Sequence, residues 1–229
     1  MKSNSNLFHE ILTEFYNAGV LENVILIGNW VLPIYKHYFS DTTEIPILRT
    51  TDVDFLIKNP PKINIKVDIP EILEHYGFVE VYSLMGNYTK FSQPDLEVEF
   101  LIPEMGRGRK KAVFIRKLNI TAQPLRYLNF IQNHIITVDY KGITLKVPEP
   151  AAFTLMKFLL TIKRKKIEKI NKDLRTATAL TKYLLKRNNQ KVSLKVYFAD
   201  MPKTWQKRLK PIIKLNSPDL YKILFMQKL

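Results

Sequence analysis

Two segments of this chain carry one alternating pattern, Asp52-Val-Asp-Phe-Leu-Ile57 and Glu97-Val-Glu-Phe-Leu-Ile102. Side chains alternate across a strand, so each segment sets two carboxylates on one face and a valine and a phenylalanine on the other. Such a chain must form a sheet with one apolar face covered, and strands are expected over residues 51–57 and 96–102. With 229 residues and 46% hydrophobic content it can bury that layer, which excludes disordered and fibrous architectures.

The carboxylates carry the chemistry. Asp52 and Asp54 converge on one face and repel each other unless a cation sits between them; an all-oxygen donor set suits Mg²⁺ rather than zinc. Glu97 and Glu99 repeat the arrangement, so a third carboxylate can join the first pair. The alternative is a solvated acidic strand face with no ligand. About twenty residues upstream, Val24-Ile-Leu-Ile27 reads as an apolar strand ending at Gly28-Asn29, and Trp30 to Phe39 as a short helix with Pro33 in its first turn. Backbone N–H groups at such a helix start can hold phosphate oxygens; the alternative is that Gly28 serves a tight turn alone.

Organisation follows from the same periodicities. Helices are expected over Asn6–Ala18 and Ile69–Tyr76, and strands over Val79–Ser83 and Tyr88–Phe91, joined at Gly86-Asn87. A strand near Phe114–Leu118, a helix near Pro124–Ile131 and a hairpin of Ile135–Tyr140 with Ile143–Val147 across Lys141-Gly142 come next. Pro148 and Pro150 mark a boundary, after which helical spacing dominates through about Lys186, with further helices near Ser193–Phe198 and Pro202–Leu209. The expected fold is α/β (α+β), a mixed sheet flanked by helices over residues 1–147, followed by a helical basic domain over residues 148–229.

Charge separates the two parts. Residues 1–150 carry 16 Lys/Arg against 17 Asp/Glu, net −1, whereas residues 151–229 carry 20 against 4, net +16. The basic third attracts polyanions, RNA among them, or is simply a solvated helical face. The chain has no cysteine, which excludes disulfides, thiolate zinc sites and a cysteine nucleophile. His9, His37, His75 and His134 lack metal-ligand spacing. The longest apolar stretch, Val24–Tyr35, is broken by Asn29 and too short to span a bilayer. A soluble, cytoplasmic protein without a membrane partner is expected.

The apolar strand, Gly28-Asn29, the helix, a loop, Arg49-Thr-Thr-Asp-Val-Asp54 and a later acidic strand together resemble the signature of the nucleotidyltransferase-fold superfamily, the superfamily of DNA polymerase β. Within it the chain looks most like small bacterial nucleotidyltransferase-like proteins related to AbiEii-type toxins. The resemblance continues at Val147-Pro-Glu-Pro-Ala-Ala-Phe-Thr-Leu-Met-Lys157 and from Arg164 through Lys172-Asp-Leu174, and covers roughly residues 20–180.

It implies a nucleotidyltransferase-like mixed sheet and Mg²⁺-dependent attack of an acceptor hydroxyl on the α-phosphate of a nucleoside triphosphate such as ATP, with release of pyrophosphate. Two Mg²⁺ ions are implied, with Asp52, Asp54 and Glu99 as metal ligands and catalytic carboxylates. Gly28 and Asn29 fall on the nucleotide-phosphate turn. Asn29 replaces the family's usual glycine or serine, and Glu99 its usual aspartate. Arg49, Lys157, Arg164 and Lys172 are the further nucleotide-binding residues this resemblance suggests. Arg49 can alternatively pair with Asp52 or Glu44, and Lys157 can snorkel from an apolar stripe. RNA, a protein or a small hydroxyl compound are the acceptors considered, and a cognate antitoxin-like protein is a possible partner. The competing reading is a catalytically degenerate module that binds nucleic acid or nucleotide through its basic surface.

Overall fold

The computed structural model describes residues 4–40, 42–48, 50–82, 89–104 and 111–226. Arg49, the Gly86-Asn87 turn and the basic segment Gly106-Arg-Gly-Arg-Lys110 lie outside them. The chain divides into two compact units: residues 1–40 with 47–148, and residues 149–229 with the short segment 41–46.

The first unit is built on a mixed sheet whose strand order is β1-β2-β5-β4-β3. Strand β1 (Val24–Ile27) runs antiparallel to β2 (Asp52–Ile57), and β2 runs parallel to β5 (Glu97–Pro103). On the other edge of β5, β4 (Thr89–Ser92) pairs antiparallel with its first half and carries β3 (Val79–Tyr82). Helix α1 (Asn4–Asn17) buries Leu7, Phe8, Ile11, Leu12 and Phe15, the apolar stripe that helical spacing demands. Phe15 lies 5.3 Å from Phe55, which stacks on Phe100 at 5.7 Å. Val53, Phe55, Val98 and Phe100 therefore fill the core, while Asp52, Asp54, Glu97 and Glu99 are half-buried at the alternate positions.

Helix α2 (Val31–Tyr38) follows β1, and α3 (Ile69–Glu74) is capped by Asp68, whose Oδ1 accepts from the Glu71 N–H at 3.2 Å. Two expectations fail between residues 113 and 131. Strand β6 is only Val113–Ile115, because residues 116–118 turn as a 3₁₀ helix into Asn119 at φ +53°. The stretch expected to start a helix at Pro124 is instead strand β7 (Ile120–Leu125), parallel to β5, and helix α4 begins only at Leu128 and ends at Asn133. Ile120 and Ala122 are buried on one face, so period two prevails; Pro124 closes the strand near its end, where a missing N–H is tolerated. The hairpin forms as expected from β8 (Ile135–Tyr140) and β9 (Ile143–Pro148), with Lys141 at φ +55° and Gly142 at φ +81° supplying its turn.

The second unit is helical. Helix α5 (Pro150–Thr161) is buried along nearly its whole length and is capped by Glu149, whose Oε2 accepts from the Ala151 and Ala152 N–H groups at 2.7 and 3.1 Å. Helices α6 (Ile167–Leu184), α7 (Asn188–Asp200) and α8 (Lys203–Asn216) pack with it, and a short α9 (Pro218–Tyr221) continues into a π-helical turn over Lys222–Met226. Helices α7 and α8 are longer than their sequence signals: α8 runs through Pro211 because Leu209 and Ile213 on either side are fully buried.

Candidate active site

Register brings the sequence-derived acids together within the first unit. In the parallel β2–β5 ladder Asp52 stands opposite Glu97 and Asp54 opposite Glu99, so four carboxylates share one sheet face in two adjacent rows. Across β1–β2, Asp54 is the partner of Ile27, the residue before Gly28. The Gly28-Asn29 turn thereby arrives directly over the Asp54 side chain. A Cβ built on Gly28 would stand 2.3 Å from Asp54 Oδ2, and the glycine backbone holds φ +74°. Both facts favour glycine: the left-handed conformation disfavours any other residue, and a methyl would force the Asp54 carboxylate aside. Gly28, Asn29 and Trp30 form a single 3₁₀ turn leading into α2, with Asn29 half-buried.

The electrostatics match this crowding. Burial pushes the Glu99 carboxyl up from 4.5 to about 7; the negative charges of Asp54 and then Asp52 push it the same way, Lys90 opposes them, and Glu97 adds a small further push upward. Lys90 is the functional candidate that sequence reasoning missed. It pairs with Glu99 across β4–β5, and its Nζ donates to Glu97 Oε1 at 2.7 Å, where Ser92 Oγ also donates at 3.4 Å. The alternation of Thr89-Lys-Phe-Ser92 places Lys90 opposite buried Phe91, but only the register reveals which acids it faces.

Among the described residues, no group of three or more His, Cys, Asp or Glu side chains forms a ready-made metal shell. The donor chemistry nevertheless fits Mg²⁺, which is held by one or two carboxylates together with water and substrate phosphates rather than by an all-protein cage. Like charges drawn together on a half-buried face are what a divalent cation relieves.

The second unit holds the remaining sequence candidates. Lys157, although on α5's buried face, is not snorkelling: its Nζ donates to Asp173 Oδ1 at 2.9 Å and lies 5.2 Å from the Phe153 ring centroid. The side chains of this ion pair are only 6% and 5% exposed. Arg164 donates from Nε to the other oxygen, Asp173 Oδ2, at 3.1 Å and remains 37% exposed. Lys172, next to Asp173 on α6, is half-buried. Asp173 is thus the hub of a two-cation cluster that sequence reasoning quoted but did not single out.

A family model described as Nucleotidyltransferase matches residues 6–199. Among curated proteins, none matches the chain. Among solved structures, the chain resembles an antigenic nucleotidyltransferase-like protein from Paracoccidioides brasiliensis at 15% identity, covering 97% of this chain and 93% of that one, with a TM-score of 0.47. It also resembles ANT(2")-Ia in complex with adenylyl-2"-tobramycin at 12% identity, covering 90% of this chain and 96% of that one, with a TM-score of 0.48.

Proposed function

We propose, for a chain that belongs to the nucleotidyltransferase family, that it moves a nucleoside monophosphate from a nucleoside triphosphate to an acceptor hydroxyl with Asp52, Asp54 and Glu99 at the reacting end. The observation that supports this reading most is the meeting of three sequence-distant features at one place: Gly28 against Asp54, and Asp54 opposite Glu99. A surface that merely binds polyanions gains nothing from gathering carboxylates beside a glycine turn.

In the reaction the acceptor oxygen bonds to the α-phosphorus, the bond from that phosphorus to its bridging oxygen breaks, and pyrophosphate leaves with the electron pair. The backbone N–H groups of the Gly28-Asn29 turn, with the Asn29 amide, hold triphosphate oxygens. Glu99, with a carboxyl that titrates near 7, takes the acceptor's proton at neutral pH. Asp52 and Asp54 would hold Mg²⁺, which would supply positive charge against that developing on the phosphoryl and leaving oxygens. Arg49 lies five residues before Asp54 and serves as a further phosphate contact. Within the helical unit Arg164 is the residue assigned to an anion, since Asp173 engages its Nε and orients the remaining guanidinium N–H groups.

Thermal melting with each nucleoside triphosphate, with and without Mg²⁺, tests the reading. Stabilisation that requires both ligands and disappears in Asp54→Asn is expected. Stabilisation by triphosphate that is indifferent to Mg²⁺ and to Asp54→Asn would instead favour a degenerate binding module.

A further inference from the structure

Helix α8 carries five Lys/Arg and no acidic residue between Lys203 and Asn216. Lys203, Lys207, Lys210 and Lys214 follow at intervals of four, three and four, which places them in one line along the helix, about 16 Å long at 1.5 Å per residue. All four are exposed, and none forms an ion pair with a carboxylate among the described residues. A face that serves only solubility intersperses both signs of charge, and this one does not. Aromatic rings flank the line: Lys210 Nζ lies 5.5 Å from the Phe225 ring centroid and Lys214 Nζ 5.9 Å from that of Tyr221, and the two half-buried rings are 5.0 Å apart.

We propose that this face of α8 docks single-stranded RNA, with Lys203, Lys207, Lys210 and Lys214 on its phosphates and Tyr221 and Phe225 beside its unpaired bases. The docking stands on the helix alone; only the further step, that this RNA is the acceptor, rests on the nucleotidyl-transfer reading. A regular line of point charges matches a polymer with one charge per repeat, and aromatic faces beside it suit bases that are not already stacked in a duplex. A membrane surface fits less well, because an interfacial helix offers its apolar face to lipid, whereas Leu209 and Ile213 of α8 are fully buried in their own unit.

The test is fluorescence anisotropy of a labelled single-stranded RNA of mixed sequence, titrated with the full chain over a range of salt. Lys207→Glu, Lys210→Glu and Lys214→Glu combined should weaken binding at least about tenfold, and the three neutral glutamine replacements should reduce the salt slope by about two. The control is Lys165→Glu, Lys166→Glu and Lys169→Glu combined, an equal charge change on exposed residues elsewhere in the unit, which should weaken binding less than about threefold. Asp54→Asn should bind the RNA as the parent does, and the α8 variants should keep Mg²⁺-dependent stabilisation by triphosphate. Loss of that stabilisation in the parent sinks the catalytic reading while leaving the docking face intact. Equal weakening by both charge sets would overturn the docking face. So would competition by duplex DNA, single-stranded DNA or phosphatidylserine vesicles as effective as that by RNA.

Discussion

Asp173 and Asp54 are both carboxylates withdrawn from water, one among cations and the other among carboxylates. Asp173 receives one cation on each oxygen, Lys157 at 2.9 Å and Arg164 at 3.1 Å, so the helical unit compensates its buried negative charge in full. Asp54 shares a sheet face with Asp52, Glu97 and Glu99 against Lys90, whose ammonium is drawn to Glu97. Crowding of like charges on this face shows at Glu99, whose carboxyl burial and the charges of Asp54 and Asp52 push up to about 7. A carboxylate held by two cations ties its own unit together, whereas carboxylates gathered on one half-buried face suit a ligand that brings a divalent cation.

Removing the charge at each place should move stability in opposite directions. Asp173→Ala strands two cations in the helical unit and is expected to destabilise it by about 3–5 kcal/mol, read from urea unfolding. A loss below about 1 kcal/mol would show the cluster to be solvated and dissolve the contrast. Glu99→Gln should instead stabilise the metal-free protein at alkaline pH. The folded-state carboxyl titrates near 7 rather than 4.5, so the native state binds more protons than the unfolded chain between those values and loses stability as pH rises through them. The gain from glutamine is therefore absent at pH 4 and grows to about 3 kcal/mol above pH 7 before solvent relaxation reduces it. Mg²⁺ should stabilise the parent more than the variant, a difference that differential scanning calorimetry measures directly.

How legible this was in the sequence depended on whether the signal was local. The strands bearing Asp54 and Glu99 could be read because period two is intrinsic to a half-buried strand, and the β8–β9 hairpin because Gly142, between two alternating β-rich runs, suits a turn with positive φ. Pro124 misled because a proline that opens a helix and one that ends a strand look alike until the parallel partner, β5, is known. The reach of α8 past Pro211 was hidden for the same reason: the burial of Ile213 is a tertiary fact. Lys90 is not legible in the sequence because its meaning lies in the register that sets it opposite Glu99, and register between distant segments is not written in either one.

Gly28 sharpens the comparison from the turn side. Gly28→Ala should cost about 1–3 kcal/mol from the positive φ alone, and its methyl must displace the Asp54 carboxylate, with Oδ2 only 2.3 Å from where that methyl would sit. Transfer activity should fall by at least about tenfold beyond any change in folded fraction, since a misplaced ligand lowers turnover without unfolding the sheet. Incorporation of labelled nucleotide at saturating triphosphate separates the two effects.

The smallest effect on stability is expected at Lys90, and it bears most directly on what sets the proton affinity of Glu99. Its pair with Glu97 is partly exposed, at 30% and 29%, so Lys90→Gln should change stability by no more than about 1 kcal/mol. Yet Lys90 is the cation that opposes the rise at Glu99, so its removal should push that carboxyl further up. Carbon-13 NMR of the metal-free protein reads this shift at the Glu99 carboxyl itself. A Glu99 titration unmoved by Lys90→Gln would mean that Lys90 serves Glu97 alone and that burial with the two aspartates sets the proton affinity of the site.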